Sequence, residues 1–170
     1  MSKKPSLTNR ERLKELYIHY NLNREDIFTH DKFGYVMLTR TGVEKIMAHD
    51  NIQVSYQKEY CSNEGACYMA TAIRGDIKIE TLGSAHKGNC KLSYYPEMAE
   101  KRAKARAVLM LAGFYEIGCY SEVEADEFHR NKSNTKPKDS GLAEEVKELN
   151  GGSGLADTIR EYGEQGIGGQ

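Results

Sequence analysis

The stretch Tyr94–Phe114, YYPEMAEKRAKARAVLMLAGF, decides the fold. It reads as a long helix with basic side chains set into a face that ought to be apolar. Pro96 suits the first turn, where a missing N–H is harmless, and Glu97 and Glu100 complement the positive helix N-terminus. Gly113 is the expected stop, as a residue that takes the left-handed conformation past the last turn. At about 100° per residue, Glu97, Glu100, Lys101 and Lys104 share one solvated arc. Arg102 and Arg106 fall outside it, one turn apart, between a Met98/Ala105/Leu109 ridge and an Ala99/Ala103/Met110 ridge. Two guanidinium groups on the core side of a helix demand carboxylates or phosphates. The acidic run just downstream (Glu116, Glu122, Glu124, Asp126, Glu127) offers the first, and a bound nucleic-acid strand would offer the second.

Upstream of this helix the pattern is that of an antiparallel β-meander. Ile52, Val54 and Tyr56 alternate with Gln53, Ser55 and Gln57, so Ile52 to Tyr60 reads as a half-buried strand. Asn63-Glu64-Gly65 turns the chain into a second strand, Ala66 to Arg74. Gly75-Asp76 is a tight turn, and Ile77 to Leu82 is the third strand. Gly83 to Ser93 reads as a loop that delivers the chain to the helix. Nearer the N-terminus, Thr8 and Glu11 form a capping-box pattern ahead of a helix through Leu13, Leu16, Tyr17 and Tyr20. Asn21 to Asp31 is polar and turn-rich, and Tyr35 to Leu38 is a short apolar run, read as a strand. Thr41 with Glu44 repeats the capping box before a short helix, Gly42 to His49. The expected fold class is α+β: a three-stranded antiparallel meander followed by a long basic helix (β-β-β-α), with N-terminal helices.

A chain of 170 residues holds one domain and can bury a real core. The reading places that domain at residues 1–128 and treats 129–170 as a flexible acidic, Gly-containing tail. Residues 1–115 carry 18 Lys/Arg against 13 Asp/Glu, whereas 116–170 carry 6 against 12. A basic body with an acidic C-terminal third suits a polyanion-binding core whose tail regulates it or docks a partner. Two short amphipathic pieces of the tail, Leu142–Leu149 and Leu155–Tyr162, are the candidate docking segments. No apolar run approaches the length of a membrane span and no leader pattern is visible, which points to the cytoplasm. The cysteines Cys61, Cys67, Cys90 and Cys119 are unevenly spaced and read as free thiols.

Chemistry-bearing motifs are few. Cys61, Cys67, His86 and Cys90 have spacings too wide for the tight ligand pairs of structural zinc sites. Asp76 and Lys78, with Glu59, Glu64 and Glu80 nearby, make an acid-x-Lys pair of the kind metal-dependent nucleases use, and this is the alternative enzyme reading. An aspartate at a tight turn and alternating Lys78 and Glu80 on a wet sheet face explain the same residues without chemistry. No phosphate-cradling GxxxxGK[ST] and no GxGxxG after a strand is present. The remaining constellation is basic: Arg74, Lys78, Lys87, Lys91, Lys101, Arg102, Lys104 and Arg106, with Tyr94 and Tyr95 at the loop–helix joint. Cations that track phosphates and aromatics on which bases stack are the ingredients of single-strand binding.

The run GSAHKGNCKLSYYPEMAEKRAKARAVLMLAGFYEIGCYSEVEADEF, residues 83–128, resembles the equivalent segment of phage-encoded single-strand annealing proteins of the Rad-fifty-two-like superfamily. The resemblance covers about residues 35–128. It rests on a meander followed by a helix whose Lys101, Arg102, Lys104 and Arg106 precede Ala112-Gly113, and on the Tyr120–Glu127 string YSEVEADE. It implies an oligomeric ring or filament that anneals single-stranded DNA without ATP or metal, in phage or prophage recombination in the bacterial cytoplasm. Arg102 and Arg106 would line the groove, Lys101 and Lys104 would lie nearer its surface, and Arg74 and Lys78 would lip it. Lys87, Lys91 and Tyr95 complete the expected binding set, and a passive single-strand-binding or adaptor module is the remaining alternative. Free edges of the short meander would pair between protomers, and residues 142–170 would meet a replication or single-strand-binding partner.

Overall fold

The structure is a computed structural model that describes residues 7–29 and 36–125. The elements, in chain order, are α1 (Asn9–His19), β1 (Ile27–Thr29), β2 (Val36–Leu38), α2 (Arg40–His49), β3 (Gln53–Ser62), β4 (Gly65–Arg74), β5 (Ile77–His86), α3 (Tyr95–Leu111) and β6 (Tyr120–Ser121). The fold is mixed α+β, with the expected β-β-β-α order from β3 to α3. The proposed tail at 129–170, the two amphipathic pieces within it, Asp126 and Glu127 lie outside the described residues.

Local chemistry sets the helix ends. Thr8 caps α1 in a complete capping box with Glu11, and the Thr8 hydrogen bonds hold the Glu11 carboxyl below its ordinary range. The cap of α2 is Thr39 rather than the expected Thr41. Its hydroxyl accepts from Gly42 N, and the Arg40 amide donates to Glu122 Oε1 across 82 residues of sequence. Glu44 has other work, pairing with Arg40 one turn back at 2.9 Å. Gly113, just past α3, sits at φ +82°, as its place after the last turn required.

β3, β4 and β5 form the antiparallel meander in that order, with Ala72 opposite both Val54 and Ile79. The register puts Val54, Tyr56, Ala66, Tyr68, Ala70, Ala72, Ile79, Thr81, Gly83 and Ala85 on one face, the face that α3 covers. That interface is built from small residues. Ala66, Ala70, Ala72 and Ala85 of the sheet meet Ala99, Ala103 and Ala107 of the helix, all buried. On its other flank α3 packs with α2, and the core there gathers Leu13, Tyr17, Leu38, Ile46, Val108, Leu109 and Phe114.

Two readings of the sequence are corrected here. β5 does not end at Leu82 but runs through Gly83 to His86. Gly83 is no breaker: a Cβ there would stand 2.3 Å from both Ala103 N and Ala99 O, so the strand touches the helix backbone. The polar segment after α1 also yields a strand, β1, which pairs antiparallel with β2, while β6 joins the other side of β2 in parallel. Strands this short carry too little pattern to be seen in the chain alone.

Gly83→Ala should cost about 3 kcal/mol, because the helix must lift from the sheet to admit a methyl group. Ser84→Ala, one residue on and facing away from the helix, should stay within about 0.5 kcal/mol of wild type. Urea unfolding followed by circular dichroism measures both.

Candidate nucleic-acid interface

The nine residues expected to hold a strand fall into three groups. Arg102 and Arg106 both bond inward, the first buried and the second partly exposed. Arg102 is fully buried, and its guanidinium fans across three segments, donating to Val123 O at 2.9 Å, Ser84 O at 2.8 Å and Asn89 O at 2.9 Å. Arg106 donates to Leu82 O at 2.7 Å and binds the buried Glu124 carboxylate through Nε and Nη2. The Arg102 guanidinium is closed off from solvent, whereas the Arg106 side chain stays 23% exposed beside its Glu124 partner. Five N–H donors in a planar fork let one side chain reach carbonyls on separate segments, a third way to satisfy a core arginine beyond carboxylate and phosphate. Glu122 and Glu116 serve other partners, the Arg40 amide and the Arg12 guanidinium.

These contacts also change the expectation about sheet edges. β5 is an edge strand, yet its carbonyls at Leu82 and Ser84 are taken by the two arginines and by the Asn89 side chain. β3, the other edge, carries a register shift between Lys58 and Tyr60. Occupied carbonyls and a bulge are both devices that discourage edge-to-edge pairing.

The second group lies at the two ends of the sheet. Arg74 stands at the β4–β5 turn and binds Asp50 at 2.6 Å, while Lys78 pairs with Glu80 at 2.7 Å. Lys87 and Lys91 are exposed beyond the opposite end, after His86. Ten-residue strands separate these ends by about 30 Å. Tyr95 is partly buried against the cluster of Ala66, Ala85, Cys90 and Ala99. Its neighbour Tyr94 is the exposed one.

Lys101 and Lys104 form the third group, and they do meet other cations. Together with Arg40 of α2 they line a groove of about 170 Å³ between α2, α3 and β3. Tyr56 forms part of its wall, and Glu44 and Glu100 also line it. Burial, with Glu100 adding to it, pushes the Tyr56 phenol above its ordinary range. Arg40 and Lys104 converge on one oxygen, Glu44 Oε1, at 2.9 and 3.5 Å. Lys101 lies over the Tyr94 ring, 5.8 Å from its centre. Arg40 and Tyr56 were not expected in the interface. They come from elements that only the tertiary fold brings beside α3.

The catalytic and metal alternatives find little geometry. Among the described residues, Glu59, Glu64, Asp76 and Glu80 do not gather into a group able to hold an ion, nor do Cys61, Cys67, His86 and Cys90. Asp76 is exposed in its turn, Cys90 is buried with its thiol towards Leu92 O, and His86 Nδ1 accepts from the Gly88 amide. Cys119 is buried and its thiol is pushed up to about 12 by desolvation.

Arg102→Ala should destabilise the protein by about 3 kcal/mol or more, since Val123 O and Asn89 O lose the Arg102 donor, Ser84 O keeps only the Asn89 side chain, and a cavity opens. Arg102→Lys should recover little of this, because an ammonium cannot span the three segments. Lys101→Ala should leave stability within about 0.5 kcal/mol. Denaturant midpoints report all three. In the native protein a maleimide should modify the exposed Cys61 far faster than the buried Cys90 or Cys119, read by peptide mass spectrometry.

Comparison of the chain with protein-family models, with curated proteins and with solved structures finds no match.

Proposed function

We propose that this protein binds single-stranded DNA along the α2–α3 groove and accelerates the pairing of complementary strands without a nucleotide cofactor. The observation that carries the reading is the convergence of Arg40, Lys101 and Lys104, from two helices, on one open groove with Tyr56 in its wall. Tyr94, beneath Lys101, supplies an exposed aromatic face beside it. Cations spaced along a groove and aromatic faces for stacking suit a strand held by its phosphates with little sequence preference. Glu44 occupies the position that a phosphate would take, drawing Arg40 and Lys104 to a single oxygen. A strand entering the groove displaces that carboxylate. The annealing step and an oligomeric ring or filament in phage recombination come with the family resemblance. The sheet face that no other described residue covers, where Ile73 and Leu82 are 40% and 49% exposed, gives copies of the chain a surface on which to pack.

Two complementary fluorescent oligonucleotides, mixed with and without protein in the absence of nucleotide and metal, test this directly. Pairing should be faster with protein and the effect should fade as salt rises. The triple variant Arg40→Ala, Lys101→Ala, Lys104→Ala should lower the slope of log affinity against log salt by about 2, at about 0.7 per lost phosphate contact. Glu44→Gln should tighten binding about threefold by removing the internal competitor. Strands left unbound would overturn the proposal. Tight binding with unchanged pairing would reduce it to a passive single-strand-binding module.

A further inference from the structure

α1 and α2 end at the same place, and each ends in histidine. His19 closes α1, His49 closes α2, and Asp50 is the C-cap of α2. Their ligand atoms (two imidazole nitrogens and a carboxylate oxygen) all lie within 4.8 Å of one another, and they are the one such group among the described residues. Both imidazoles are exposed, with ring centres 4.9 Å apart, and Tyr20 forms the floor beneath them at 4.7 and 5.1 Å.

We infer that His19, His49 and Asp50 form a binding site for a divalent transition-metal ion of the zinc type. Three features of the geometry support it. His49 Nδ1 and Asp50 Oδ1 are hydrogen-bonded at 2.9 Å, so both ligand atoms already face one point and need part by only about 0.4 Å to sit as tetrahedral neighbours on one ion with bonds of about 2.0–2.1 Å. The second carboxylate oxygen is already engaged: Tyr20 Oη donates to Asp50 Oδ2 at 2.8 Å and Arg74 Nη1 donates to it at 2.6 Å. A ligating carboxylate fixed by outer hydrogen bonds on its other oxygen is the arrangement that orients a metal ligand. Finally, two helix C-termini point their negative ends at this spot, and that field favours a cation.

The charges around the site are few. Asp50 brings one negative charge and Arg74, on its far oxygen, one positive. An incoming dication therefore meets a locally neutral group plus the two helix ends. Two imidazoles and one carboxylate suit zinc, cobalt or nickel better than magnesium or calcium, which prefer all-oxygen sites. A fourth position faces solvent, where water would complete a tetrahedron. To close the site the His19 ring has only to swing toward Asp50, and being exposed it is free to turn. The ion would then fasten α1 to α2 and, through Asp50 and Arg74, to the end of β4. Without an ion, His49 Nδ1 and Asp50 Oδ1 are hydrogen-bond partners at the end of α2.

The test uses the untagged full chain, stripped with chelator and titrated with zinc chloride alone by calorimetry and thermal unfolding. One ion per chain and a rise in melting temperature are expected. Cobalt substituted for zinc should give visible bands of a tetrahedral site without a thiolate charge-transfer band. His19→Ala and His49→Ala should each weaken binding more than tenfold while lowering the metal-free melting temperature only slightly, through the lost ring contacts with Tyr20. Tyr20→Phe should weaken it several-fold by removing one of the two donors that hold the unligated oxygen. Absence of binding, binding that survives both histidine substitutions, or a cobalt spectrum of thiolate type would overturn the inference.

Discussion

One buried guanidinium holds the architecture together. Arg102 is wholly inaccessible, and its donors end on Ser84, Asn89 and Val123, residues of the last meander strand, the turn after it and the segment following β6. Arg106, one turn on, adds Leu82 and Glu124. Between Leu82 and Ser84 stands Gly83, whose missing side chain lets the strand rest on the α3 backbone at Ala99 and Ala103. The close approach and the arginine contacts depend on each other. A larger residue at 83 would move the strand beyond the reach of both guanidiniums, and without the guanidiniums Leu82 O would turn to solvent and Ser84 O would keep only the Asn89 side chain.

This division of labour decides what the helix can offer to a ligand. Its cations are not one population. The two arginines work inward, and Lys101 and Lys104 on the adjacent face are left for solvent and for the groove shared with Arg40. The total basic charge of the segment therefore overstates its reach toward a polyanion. Local geometry adds Arg40 and Tyr56, which the segment does not contain.

α2 connects the two proposed sites. Arg40 at its first turn lines the groove, and His49 and Asp50 at its last turn belong to the inferred ion site, about 15 Å away along ten residues. The helix is anchored between them by Thr39, Glu122 and the buried Val43 and Ile46. An ion at one end would thus brace the element that presents a cation at the other.

Much of the architecture was legible in the chain because it rests on interactions between near neighbours. The Thr8–Glu11 capping box, the Asn63-Glu64 and Gly75-Asp76 hairpin turns and the Gly113 stop are local signals that hold in the structure, whereas β3 forms but is exposed along most of its length rather than half-buried. What the chain could not declare is which partner a long side chain reaches. Arg102 and Lys101 are adjacent in sequence, yet one is fully buried and the other exposed. Periodicity assigned both arginines to the core side but left open whether carboxylate or phosphate would satisfy them, and did not foresee backbone carbonyls. Only the fold decides that, because Ser84, Asn89 and Val123 lie 18, 13 and 21 residues away and meet at one point only once the strand has docked on the helix. The same holds for Thr39 over Thr41, for β6 beside β2, and for two histidines thirty residues apart that share one helix-end corner. Hydrogen-bond and ligand geometry is set by positions in space, and those arise from packing that no local window contains.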